Sequence, residues 1–64
     1  MVKNKLKEIR MREYLMNLTE FSMKLGYDIK TYSAWERGTS TPTLERSLKV
    51  ANKLNKIVND IWYL

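Results

Sequence analysis

Apolar residues along this chain recur three and four positions apart, and nowhere do they alternate long enough to specify a strand. Five short helices follow from that spacing. The first runs from about Lys3 to Leu15, with Val2, Leu6 and Ile9 as its buried stripe and Lys3, Lys5, Lys7 and Arg12 off it. The second runs from Leu18 to Leu25, where Leu18, Phe21, Ser22 and Leu25 share a face. Asn17 stands before it as an N-cap, a side-chain oxygen for an orphan backbone N–H. Glu20, three residues on, completes a capping-box pattern. Gly26 ends this helix by taking the left-handed conformation.

Asp28 is the cap of a third helix, Ile29 to about Arg37, with Tyr32 and Trp35 on one face and Gly38 as its stop. Thr39-Ser40-Thr41-Pro42 is a polar loop. Thr43 caps a fourth helix from Leu44 to Leu54, whose expected buried stripe is Leu44, Ser47, Leu48, Ala51 and Leu54. Asn55 takes the left-handed role that Gly plays elsewhere. A last short helix, Ile57 to Trp62, carries Val58, Ile61 and Trp62 as apolar positions. Only Gly26-Tyr27-Asp28 separates helices two and three. A Gly-led turn of that length is the helix-turn-helix arrangement, whose second helix can enter a DNA major groove. The Gly reverses the backbone, Tyr27 fills the core, and Asp28 starts the second helix.

Composition narrows the function. The chain has 64 residues, room for one small domain spanning residues 1–64, with the helix-turn-helix at about 18–37. It has no Cys and no His, which removes disulfides, Cys–His zinc sites and every Cys- or His-based catalytic constellation. No pair of carboxylates is placed for chemistry either, so an enzyme is not expected. No cofactor and no small-molecule ligand is implied. No apolar run approaches the length of a membrane span, and the basic N-terminus lacks the apolar stretch of a signal peptide. An intracellular, cytoplasmic protein is therefore expected.

The formal charge of +5 asks for an anionic partner, nucleic acid before a membrane surface. That charge is uneven: residues 1–12 carry a net +4, residues 13–45 a net −2, and residues 46–64 a net +3. The third-helix segment itself is neutral, with Lys30 and Arg37 against Asp28 and Glu36. Arg46, Lys49 and Lys53 fall together on a helical wheel as a solvated face. Helix one has charge, but too narrow an apolar stripe for a peripheral membrane helix.

The run Met16-Asn17-Leu18-Thr19-Glu20-Phe21-Ser22-Met23-Lys24-Leu25-Gly26-Tyr27-Asp28, then Trp35-Glu36-Arg37-Gly38, then Pro42-Thr43-Leu44-Glu45, resembles the phage-repressor and Cro-type helix-turn-helix domain. Leu48 to Leu54 and Asp60-Ile61-Trp62 also fit, so the likeness covers about Leu6 to Trp62. It implies an all-α fold: five helices in a lambda-repressor-like domain around one core. It also implies double-stranded DNA as partner, and usually a homodimer on a pseudo-palindromic operator. Carried onto this chain, the base-reading positions are Ile29, Lys30, Ser33 and Ala34. The phosphate-contacting positions are Asn17, Thr19, Thr31, Arg37, Thr39, Ser40 and Thr41. An exposed Ile at the start of a recognition helix suits a thymine methyl, as does Ala34, and Lys30 suits guanine O6/N7.

Two departures stand out. The first residue of helix two is commonly a Gln bonded to phosphate, and here it is Leu18. The resemblance also implies that the Glu ending the recognition helix, Glu36, pairs with a buried Arg on helix one. Counting back from Asn17 without a gap lands on Met11, so Arg10 is the partner only if helix one is one residue longer. At the C-terminus, Ile61 is expected in the core, while Trp62, Tyr63 and Leu64 cannot all be buried in so small a monomer. They are therefore expected as a dimer contact within the tail 57–64. The reading is a sequence-specific, repressor-like DNA-binding regulator. The alternative is a protein-interaction module, an antitoxin or anti-repressor, on the same fold.

Overall fold

The computed structural model describes the whole chain, Met1–Leu64. Strand β1 (Lys3–Asn4) leads into α1 (Leu6–Glu8), which continues as a π-helical segment, Ile9–Tyr14. Helices α2 (Leu18–Leu25), α3 (Ile29–Arg37), α4 (Leu44–Lys53) and α5 (Val58–Ile61) follow, and β2 (Trp62–Tyr63) closes the chain. The five helices surround one core of Leu6, Ile9, Phe21, Leu25, Tyr32, Trp35, Val50, Ala51, Leu54, Ile61 and Trp62. Within it the rings of Phe21 and Tyr32 meet edge to face at 5.5 Å, and those of Tyr27 and Trp35 at 4.8 Å. No helix is long and apolar enough to cross a membrane.

Local signals set the middle of the fold. Asn17 Oδ1 accepts from Glu20 N at 2.8 Å, and Glu20 Oε1 accepts from Asn17 N at 3.0 Å, a reciprocal capping box. Gly26 and Gly38 end α2 and α3 at φ of 84° and 80°. A Cβ at Gly26 would also come within 3.2 Å of Lys53 Nζ. Thr43 Oγ1 accepts from Arg46 N to cap α4, and Asn55 turns left-handed at φ 57°. Asp28 occupies the expected cap position with extended backbone, but its side chain makes no cap bond.

The ends differ from the expected pattern. Helix one begins at Leu6, not Lys3, because Lys3 and Asn4 pair antiparallel with Tyr63 and Trp62. Val2 is consequently exposed rather than part of a buried stripe. The last helix stops at Ile61, and Trp62 extends into β2 with only 8% of its surface exposed. Trp62 is thus a core residue of the monomer, and Tyr63 and Leu64 alone form the exposed end of the tail. The fourth helix carries a second correction. Its buried face is Ser47, Val50, Ala51 and Leu54, whereas Leu44 and Leu48 point outward. The buried stripe is rotated from the expected one, because α4 has apolar residues on two faces and spacing alone does not say which packs.

Candidate nucleic-acid interface

The inner face of α3 is held by a buried polar cluster. Arg10 reaches Glu36 through two parallel bonds, Nε to Oε2 at 3.0 Å and Nη2 to Oε1 at 2.9 Å. Tyr32 Oη, one turn before Glu36, donates to the same carboxylate at 2.6 Å. The remaining arginine nitrogen, Nη1, donates to Met16 O at 3.1 Å. Both charged side chains are close to 10% exposed, at 11% and 8%. Burial pushes the Glu36 carboxyl up, but the bonds from Arg10 and Tyr32 outweigh it and leave the group below its ordinary value. The bond to Glu36 raises Arg10 further, against its own desolvation. Burial, then the carboxylate, pushes the Tyr32 phenol well above its usual range. The cluster is charged, closed and committed to itself.

The π-helical segment brings Arg10 into register. An i→i+5 hydrogen-bonded turn holds one residue more than an α-turn. Leu15 N and Met16 N both donate to Arg10 O, and Leu15 sits left-handed at φ 54°. The extra residue between Arg10 and Asn17 is absorbed in that turn. Arg10 therefore occupies the inward position that an uninterrupted α-helix would give to Met11, which is exposed.

The terminal ribbon reaches α3 as well. Asn4 Nδ2 donates to Trp35 O at 2.9 Å, a second donor for a last-turn carbonyl of α3 that also accepts from Gly38 N, while Asn4 Oδ1 accepts from Leu6 N at 3.0 Å. On the opposite side, Lys53 Nζ donates to Leu25 O at 2.8 Å, and the Arg46 guanidinium lies 5.6 Å over the Tyr27 ring. These contacts tie the turn between α2 and α3 to α4. Neither Asn4 nor Lys53 is distinguishable in the sequence, where one reads as a polar helix position and the other as part of a solvated face.

The outer face of α3 is open. Ile29 is 42% exposed, Lys30 and Arg37 are exposed, and Ser33 is half-buried. These four, with Leu18 from the first turn of α2, line a cleft of about 390 Å³. Lys30 and Arg37 have no carboxylate partner, whereas Lys49 pairs with Glu45 and Lys56 with Glu13. The neutral α3 segment thus presents two uncommitted cations, because Glu36 faces inward. Asn17 and Thr19 lie exposed at the start of α2, and Thr31 is half-buried on α3. Ala34 is half-buried and does not line the cleft; its carbonyl accepts from Thr39 N and Thr39 Oγ1. That bond turns the Thr39 hydroxyl proton inward. Ser40 and Thr41 are exposed in the same loop.

A family model described as helix-turn-helix matches residues 6–57, most of the chain. The match supports a DNA-binding transcription regulator in general. Among curated proteins, none matches.

Proposed function

The chain belongs to the helix-turn-helix family of the phage-repressor and Cro type, and from that premise we propose that it binds double-stranded DNA sequence-specifically, as a repressor-like regulator and a homodimer. In this reading residues 1–64 act as one domain, in the DNA-containing compartment of a bacterium or phage-infected cell. The observation that carries the proposal is the asymmetry of α3. Its charged inner residues are bonded to one another, while Ile29, Lys30, Ser33 and Arg37 stand on one open cleft. Ile29, Lys30 and Ser33 read base edges, with Ala34 a more recessed contributor. Asn17, Thr19, Thr31, Arg37, Thr39, Ser40 and Thr41 set orientation on phosphates, a role that carries no sequence information. The proposal is for a binding module and not an enzyme.

The dimer rests on exposed apolar surface. Tyr63 and Leu64 remain available at the tail, and Leu44 and Leu48, one turn apart on α4, form an exposed stripe that meets Ile57, just before α5, at a groove lined by Leu48 and Ile57. Self-association over these residues sets two recognition helices on one duplex. The same stripe is what favours the second reading, a module that binds another protein.

The test is selection of bound duplexes from a random pool, followed by salt titration of the winner. Symmetric half-sites about one helical turn apart are expected, with affinity falling steeply as salt rises. No enriched sequence and a flat salt response would instead leave the protein-interaction reading standing.

A further inference from the structure

The cleft beside α3 has two aliphatic walls, and they come from different helices. Leu18 is the first residue of α2 and Ile29 the first of α3. Both line the same open cleft, with Ser33 as its one hydroxyl and Lys30 and Arg37 as its cations. Leu18 cannot bond a phosphate, and two aliphatic walls displace water from a neighbouring anion without replacing its hydrogen bonds. A cleft built only to hold backbone would not be lined this way. The major-groove edges of the bases carry donors, acceptors and one apolar group, the C5 methyl of thymine.

We infer that the Leu18–Ile29 cleft receives a thymine methyl, which makes Leu18 a specificity-determining residue and not merely a lost phosphate contact. The inference rests on the base-reading role proposed for α3. Lys30, which also lines the cleft, donates best to the paired acceptors O6 and N7 of a neighbouring guanine, so the preferred step joins a thymine to a guanine. Leu18 also packs against the core on its inner side. Its position in the cleft is therefore fixed before DNA arrives, and the wall it forms costs little to order on binding.

Deoxyuridine, which lacks only the C5 methyl, tests this directly. Each thymine of the duplex selected from a random pool is replaced singly, and affinity is measured for the wild-type chain and for Leu18→Gln. The expected result is one thymine in each half-site whose replacement weakens wild-type binding about fourfold, the effect of one methyl-sized group returned to water. In Leu18→Gln the same replacement changes affinity by less than about twofold, because the wall that met the methyl is polar. If Leu18→Gln does not melt as a folded protein, Leu18→Ala withdraws the same wall without adding a polar group and is expected to remove the discrimination in the same way. A selected site without a uracil-sensitive thymine overturns the inference and leaves sequence-specific binding intact. So does equal uracil sensitivity in wild type and the folded variant. Failure to select any site overturns the base-reading proposal and this inference together, which separates the two failures.

Discussion

The two faces of α3 are built on opposite plans. Inward, Glu36 accepts from both Arg10 and Tyr32 in a closed cluster, and Trp35 packs in the core against the Tyr27 ring. Outward, Ile29, Lys30 and Arg37 make no such commitments. The difference teaches how a neutral helix segment can face a polyanion. Its one carboxylate beyond the cap position is withdrawn by an arginine from another helix, so the exposed surface is more positive than the local sequence. The inner face also fixes rotation about the helix axis, since a bidentate Arg–carboxylate pair is directional. A helix held this way keeps Ile29, Lys30, Ser33 and Arg37 on its open side.

The largest effect should come from opening the inner face. Arg10→Met leaves the Glu36 carboxylate buried with only a phenol, at a cost of about 3–5 kcal/mol. A chain of this length has roughly 3–10 kcal/mol of total stability, so the variant should be largely unfolded well below the wild-type melting temperature. Urea denaturation checks this, and a loss under about 1 kcal/mol would mean that the cluster is not what holds α3.

Breaking the outer face should do the reverse. Lys30→Ala is expected to weaken binding to the selected site by about 1–3 kcal/mol, with folding stability unchanged to within about 0.5 kcal/mol. Equal losses on selected and scrambled DNA would reassign Lys30 to phosphate.

The starts of α2 and α3 sharpen the contrast on a smaller scale. Asn17→Ala removes an observed cap bond and should cost about 1 kcal/mol by thermal unfolding. Asp28→Ala, with no cap bond to lose, should cost only a few tenths.

The subtlest effect is a slope. The Glu36 carboxyl is held below its ordinary value in the folded chain. In the window below about pH 4.3, where unfolded glutamates take up protons, the unfolded state binds more protons, so stability falls as pH falls. Glu36→Gln should flatten that part of the stability profile, and an unchanged profile would place the titrating group elsewhere.

How much of this was legible in the sequence depends on distance along the chain. The bounds of α2 and α3 follow from Asn17, Glu20, Gly26 and Gly38, each acting within four residues of its effect. The terminal ribbon pairs Lys3 with Tyr63 and Asn4 with Trp62, two residues a side, and leaves no alternation to detect. Trp62 is buried by the same pairing, which the sequence of the tail does not announce. The face of α4 was ambiguous because Leu44 and Leu48 continue an apolar pattern that packs on nothing within the monomer. The pairing of Arg10 with Glu36 hung on a single residue of register. A π-turn supplies it, and no residue type announces one. At the cleft, the outward positions of α3 are legible from helical spacing, but the sequence around Leu18 shows only the phosphate bond it lacks. Its partnership with Ile29 appears only once both helices are folded.

The most direct test of the central claim is an NMR titration of the isotopically labelled chain with the selected duplex and with a scrambled one. Amide shifts should concentrate at the start of α2, along the outward positions of α3 and in the loop at Thr39–Thr41. The two duplexes should differ most at Ile29, Lys30 and Ser33. Shifts confined to Leu44, Leu48 and Ile57, or identical responses to both duplexes across α3, would contradict the account.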